Sequence, residues 1–317
     1  MKLKIWGSRG SIPAPLTPKE LELKTEKVLR DFCQSASYGQ KDIASFLATQ
    51  KIASGHSFGG NTTCVELISK NSLIIDGGSG LRLKGNDLMS GPCGKGKGEV
   101  HIYMTHFHWD HIMGIPFFLP IFIPGNQIHF YSADPSLEQA IKLIFTKPYF
   151  PVPFSALASN IHFHQLKPRE ATIIEGFEVV PYQLDHPDPC WGARISCDGK
   201  NYAHVVDNEG RRVSRKDLGA DLPLYQNIDL MYFDAQYSFE DMLKRIDWGH
   251  SSAFIGMDIA FREKIKKVIF THHDPIATDD QLLQVIEADK EYYDIQQKVS
   301  DHKFEWMLAY DGLELDI

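Results

Sequence analysis

The sequence predicts an α/β or α+β domain holding two sheets' worth of strands with helices outside. Three observations carry that reading. Short apolar, β-prone runs recur along the 317 residues between turn-rich loops. Longer segments with apolar residues at helical spacing alternate with them. Residue types that bind metals stand at the ends of several of the strands.

Taken in order, residues 3–6 predict a first strand, closed by the loop 7–13. From 18 to about 46 the pattern is helical, with Leu21, Val28, Leu29 and Phe32 at rough helix spacing. A turn-rich loop follows at 56–63. Residues 63–68 and 72–75 then read as a hairpin pair, followed directly by Asp76-Gly77-Gly78-Ser79-Gly80. The stretch 91–98 predicts a flexible surface loop. Residues 100–104 are apolar and β-prone, and 112–115 predict the start of a helix. Further strands are expected at 127–131, 161–166, 178–184, 201–206, 229–233, 267–271 and 304–310. Helices are expected at 135–145, with Leu137, Ile141 and Ile144 on one stripe, at 251–261, and at 278–299, which opens Thr-Asp-Asp. The chain shows no internal repeat and no low-complexity tract.

Composition narrows the class. At 43% hydrophobic and 23% charged, the chain suits a full globular core. Its net charge of −8 makes it a poor general binder of nucleic-acid backbones, whose contacts come from Lys and Arg. Five cysteines without a C-x-x-C pair suit a reduced, cytoplasmic compartment. The N-terminus does not resemble a signal peptide, and no uninterrupted apolar run reaches the length of a membrane span.

The most informative segment is Thr105-His106-Phe107-His108-Trp109-Asp110-His111, an H-x-H-x-D-H cluster too tight for one helix face to share. Imidazole and carboxylate donors at a strand end are how proteins grip transition-metal ions. Later strands end in the same residue types: Asp185-His186 after 179–184, Asp207 after 202–206, and His272-His273 after 268–271. Strands of one sheet that finish in such residues converge on one edge. His106, His108 and His186 could hold one ion; Asp110, His111 and His272 could hold a second; Asp207 could bridge them. His272 or His273 could be the last ligand, the other contacting substrate or solvent. Imidazole and carboxylate suit Zn²⁺, Mn²⁺ and Fe, with zinc the expected ion.

This set resembles the metallo-β-lactamase fold superfamily, in its phosphodiesterase and ribonuclease Z-like branch. His106, His108, Asp110 and His111 match the signature loop, His186 the third histidine, Asp207 the bridging aspartate and His272 the last histidine. Trp248-Gly249-His250-Ser251-Ser252 resembles a Gly-His-Ser/Thr motif, and Asp234 an acidic residue that pairs with that histidine. Gly59-Gly60-Asn61-Thr62 and 76–80 resemble early strand-end loops of the family. The resemblance implies a four-layer αββα sandwich of two mixed sheets, a single domain over 1–317 with a helical insertion at about 16–55, and two divalent metal ions. It implies a hydrolase acting on a small phosphodiester, such as a cyclic nucleotide, with His250 as proton donor held by Asp234. A tRNA 3′-processing nuclease and a thioester or lactone hydrolase are the alternatives. Asp76 is expected to fix a ligand imidazole from behind. A homodimer is a family-level expectation. His162-Phe163-His164 reads as one face of a sheet, and His56, His101, His129, His204 and His302 as ordinary partners of the fold. The basic run Arg211-Arg212 with Arg215-Lys216 reads as a solvated loop that could meet an anionic substrate.

Overall fold

The computed structural model describes residues 1–34, 43–48 and 55–317. Among these, strands β1 (Lys2–Gly7), β2 (Cys64–Ile68), β3 (Ser72–Ile75), β4 (Glu99–Tyr103), β5 (Gln127–Ser132) and β6 (Asn160–Gln165) form one sheet. Strands β7 (Thr172–Ile174), β8 (Phe177–Gln183), β9 (Trp191–Cys197), β10 (Lys200–Val205), β11 (Leu230–Asp234), β12 (Lys267–Thr271) and β13 (Glu305–Leu308) form the other. β14 (Glu314–Asp316) completes the first sheet against β1. Both sheets are mixed. β3 to β6 run parallel, as do β10 to β13. The β1–β2–β3 and β7–β8–β9–β10 pairings are antiparallel.

Strand periodicity explains the layering. Successive side chains point to opposite faces, and the parallel strands are apolar on both. In β11, Leu230 and Tyr232 join the core between the sheets, while Met231 and Phe233 face the other way. In β12, Ile269 faces inward, and Val268 and Phe270 face outward. Helices cover the outer faces. Leu81 of α3 (Gly80–Met89) and Leu137 and Ile141 of α5 (Leu137–Ile144) pack on Ile74, Ile102 and Phe130 of the first sheet. On the second sheet, Met257 of α8 (Ala253–Glu263) and Leu282 and Tyr293 of α9 (Asp279–Gln297) join Phe233 and Phe270. The layers are therefore helix, sheet, sheet, helix, the sandwich that the resemblance implies.

Several local expectations need correction. The helix expected from 112 is a single turn, Trp109–Ile112, followed by a 3-10 turn at Ile115–Phe117. Gly114 ends it by bonding Gly77 across the loop, and Pro116 cannot continue it. The expected flexible loop at 91–98 holds a 3-10 turn, Pro92–Lys95, with Cys93 buried beneath it. α3, β7, β9 and β14 were not predicted. The helical pattern at 18–46 resolves into Pro18–Gln34 and Ile43–Ala48, while 35–42 and 49–54 lie outside the described residues. The first of these helices buries no residue, and its Lys24 reaches Asp279 of α9 at 3.0 Å. Among the described residues no helix is long and apolar enough to cross a membrane.

α9 starts on a capping box in which Thr278 and Gln281 satisfy each other's backbone. It also buries Asp289, whose Oδ2 has no hydrogen-bond partner among the described residues. Burial alone raises this carboxyl to about 7. Its pKa therefore rises on folding, so stability is full below the ordinary carboxylate range and falls as pH climbs towards about 7. Asp289→Asn is expected to raise the melting temperature more at pH 8 than at pH 5. An equal shift at both pH values would contradict this reading.

Candidate metal centre

Six strand ends meet at one edge of the sandwich. β3 delivers Asp76, β4 the 105–111 loop, β8 His186, β10 Asp207, β11 Asp234 and β12 His272. Three of these residues turn the chain in the left-handed region: Asp76 at φ 61°, Asp207 at φ 61° and His272 at φ 63°. Such geometry costs about 1–3 kcal/mol per residue without glycine's freedom and persists only where surrounding contacts impose it. Here it swings each side chain back over the strand ends.

The structure brings the expected ligands together in two overlapping sets. One ligand atom from each of His106, His108, His186 and Asp207 lies within 4.8 Å of the others. The same holds for Asp110, His111, Asp207 and His272. Asp207 belongs to both. Its Oδ1 lies 3.0 Å from Nε2 of His111 and 3.0 Å from Nε2 of His272. Its Oδ2 lies 3.5 Å from Nε2 of His106 and 3.8 Å from Nε2 of His186. Asp110 Oδ2 stands 3.0 Å from Nε2 of His272.

The donor chemistry fits divalent cations. Nε2 of His106, Nε2 of His111 and Oδ1 of Asp207 are buried without a hydrogen-bond partner among the described residues. His111 and Asp207 are thus close enough to bond but not aligned to do so, as expected when lone pairs aim at a shared point rather than at each other. Each imidazole is held from behind through its other nitrogen, which turns the inward one towards the shared centre. His111 Nδ1 meets Asp76 at 2.8 Å, His272 Nδ1 meets the Gln236 side-chain oxygen at 2.8 Å, and His186 Nδ1 donates to the Gly249 carbonyl at 3.1 Å. His106 Nδ1 lies 3.1 Å from the Thr105 hydroxyl. His108 is turned the other way, with Nε2 on Asp188 at 2.8 Å and Nδ1 facing His186.

Small residues let this shell close. A Cβ on Gly249, where φ is +84°, would stand 2.2 Å from Nδ1 of His186. One on Gly10 would stand 2.4 Å from Nδ1 of His272. Asp76 also accepts from the Thr105 backbone at 2.8 Å and from its hydroxyl, so one buried carboxylate sets the whole H-x-H-x-D-H loop. Gln236 and Asp188 were missed in the sequence, as were the orienting roles of Thr105 and Gly249. They carry no metal-type pattern and are identified only by proximity.

His250 and Asp234 also lie at this edge. His250 Nδ1 meets Asp234 Oδ2 at 2.9 Å, and the His250 ring stacks on His272 with centroids 4.8 Å apart. Asp234 is fully buried and accepts from the backbone of Asp207, Asn208, Gln236 and Ser251. His273 does not reach the centre. It is buried behind the sheet edge with Nε2 donating to the Ala309 carbonyl at 2.8 Å, so the expectation of a ligand or substrate contact is corrected to a structural role. The basic run is mostly exposed, as expected for a solvated loop, and its arginines are ion-paired. Arg212 pairs with Asp185 and Asp221, Arg211 with Asp247, and Arg215 with Glu263.

The charges are mutually dependent. Burial opposes ionisation, yet the surrounding imidazoles hold Asp110 and Asp207 well below the usual carboxylate range. Burial likewise opposes a charge on His272, but Asp207, Asp110 and Asp234 outweigh it and raise the ring to about 9. His106, dominated by burial, falls to about 4. A cation must displace the proton that the carboxylates draw onto His272. The signs for the metal-free chain and for loading are therefore opposite. His272 stabilises the metal-free fold fully below its ordinary value of 6.5 and loses that contribution as pH rises through about 9. Metal affinity rises over the same window. Calorimetric zinc titrations between pH 6.5 and 9 are expected to show affinity climbing with proton release; a flat profile would contradict the ligand role of His272.

Comparison with known proteins agrees with this geometry. The family model of the β-lactamase superfamily domain matches residues 71–273. Ribonuclease Z of Staphylococcus carnosus is 31% identical over 178 residues, covering 52% of this chain and 53% of that protein. The match thus spans about half of that relative's length. Zn²⁺-bound PqqB from Methylobacterium extorquens superposes over the full length of both chains with a TM-score of 0.61 at 16% identity. The short form of human tRNase Z superposes over 100% of this chain and 99% of its own with a TM-score of 0.60 at 17% identity. With the two-sheet sandwich and the strand-end donors in place, the chain belongs to the β-lactamase superfamily and has the metallo-β-lactamase fold.

Proposed function

We propose that the protein is a metal-dependent hydrolase of phosphodiesters, acting on a small substrate such as a cyclic nucleotide. The observation that carries the chemistry is the His250–Asp234 pair beside the two ligand sets. His106, His108 and His186 would hold one divalent ion and Asp110, His111 and His272 another, with Asp207 shared. When bound, such ions polarise a phosphoryl oxygen and acidify a water.

The chain's own residues supply the rest. His250 donates Nδ1–H to Asp234, which leaves its other nitrogen to carry a proton to the departing oxygen. Asp234 fixes the orientation of the His250 ring, while its four backbone donors hold the carboxylate in place. Asp76, Gln236 and Gly249 keep the imidazoles oriented. Two largely exposed indoles flank these groups in sequence: Trp109 within the ligand loop, 60% exposed, and Trp248 two residues before His250, 62% exposed. Such surfaces suit stacking on a flat base. The net charge of −8 and the ion-paired arginines favour a small substrate over a long nucleic acid.

A second reading has its own support. The relative from Staphylococcus carnosus is named a ribonuclease Z, so tRNA 3′-end processing by the same centre is the alternative. One panel separates the readings: zinc- or manganese-loaded protein with bis(p-nitrophenyl) phosphate, cyclic nucleotides, a precursor tRNA, and a thioester and a lactone. Turnover of the small diesters supports the first reading and precursor cleavage alone the second. Turnover of only the thioester or lactone overturns both.

His250→Ala is expected to lower kcat by about 10²–10⁴-fold, with metal content unchanged by elemental analysis. Loss of metal in that variant would make His250 a ligand and remove it as the proton donor.

A further inference from the structure

A second group of imidazoles lies at the other end of β4, away from the centre. His101, His129 and His162 are direct neighbours across β4, β5 and β6. Their rings stack, with centroids 4.7 Å apart between His101 and His129 and 4.5 Å apart between His129 and His162. The row shares a face with Tyr103 and Tyr131, which belong to the core between the sheets. Glu99 lies two residues before His101 on the same face. From the second sheet, the turn between β7 and β8 brings Glu175 over the row.

Two nitrogens in this row face no hydrogen-bond partner among the described residues. Nε2 of His101 and Nε2 of His129 are both buried and unsatisfied, and His101 as a whole is only 7% exposed. Their other nitrogens are engaged. His101 Nδ1 meets the Tyr131 hydroxyl at 2.9 Å, and His129 Nδ1 meets Nε2 of His164 at 3.0 Å. This is the arrangement that leaves Nε2 available to a metal. Carboxylates close the space in front. Glu99 Oε1 lies 3.6 Å from Nε2 of His101 and 3.3 Å from Nε2 of His129, and Glu175 Oε1 lies 3.5 Å from Nε2 of His101.

These separations are informative. They exceed a good N–H···O bond. The carboxylate–imidazole spacings lie near the edge of a tetrahedron around an ion bonded at about 2.0–2.1 Å, roughly 3.3–3.4 Å, and the stacked rings of His101 and His129 must tilt towards each other for both Nε2 atoms to reach that ion. Burial lowers both rings, and neighbouring imidazoles add to the effect at His129, which falls to about 4. Neutral rings are the form that ligates, and the glutamate contacts are then not ion pairs.

We propose that Glu99, His101 and His129 form a separate cation site, completed by Glu175, for a divalent transition ion such as Zn²⁺. The nitrogen and carboxylate donors suit zinc, copper or nickel better than magnesium or calcium. The ion would tie β4 and β5 of one sheet to the β7–β8 turn of the other, clamping the sandwich at the end opposite the catalytic edge. This proposal does not depend on the assigned reaction.

The test reads a difference in metal count. Metal-stripped full-length protein is dialysed against low-micromolar free zinc, and bound zinc is measured by elemental analysis beside thermal unfolding. The Glu99→Gln/His129→Gln variant is expected to hold one zinc ion fewer than the natural chain and to lose the last step of zinc-induced stabilisation. Activity of the zinc-loaded variant on the same substrate should remain. His101 is left intact so that no hole opens in the buried row. Should the double variant fail to fold, Glu99→Gln and Glu175→Gln carry the same count singly, because both side chains reach solvent. Equal zinc counts in the natural chain and the variants would overturn the proposal.

Discussion

A buried carboxylate surrounded by imidazoles is the constraint on which the rest of this structure rests. Asp207 is 1% exposed and faces four histidines from three segments of the chain. A negative group in such a place is strongly unfavourable unless a positive charge accompanies it. In the metal-free chain the carboxylates draw protons onto His111 and His272. Divalent cations satisfy the same field with less crowding and leave the rings neutral. The unpartnered nitrogens of His106 and His111 are the structural sign of that preference.

The fold serves this constraint through two further carboxylates. Asp76 ties the end of β3 to Thr105 and His111, and so sets the ligand loop after β4. Asp234 gathers backbone donors from the ends of β10 and β11 and from the segment before α8, and adds His250. Because β3–β4 and β10–β12 run parallel, their ends fall at one edge, and short turns with positive φ suffice to aim the side chains. Strain at Asp76, Asp207 and His272 is thus spent where several contacts fix each residue.

Much of this was legible because it repeats in the primary order. H-x-H-x-D-H is dense enough to stand out by itself. His186, Asp207 and His272 were legible because each follows an apolar strand. Both sheets follow from period-two runs that are buried on two faces, such as Leu230-Met231-Tyr232-Phe233. Weaker signals failed for physical reasons. β9 places Arg194 and Ser196 on a partly exposed sheet face, and β7 and β14 have three residues each. α3 opens directly from a glycine turn with little amphipathic pattern. His273 sits one residue from a centre-facing histidine, past the left-handed turn at His272, and lies on the opposite side. The row of His101, His129 and His162 is visible only through strand register, which no local pattern encodes.

The central claim is most directly tested by a crystal structure of the manganese- or zinc-loaded protein with anomalous scattering. The account predicts two peaks about 3.5–4 Å apart at the catalytic edge, one bonded to His106, His108 and His186 and one to Asp110, His111 and His272, with Asp207 reaching both. A single peak, or none, with these imidazoles hydrogen-bonded to the carboxylates instead, would contradict it.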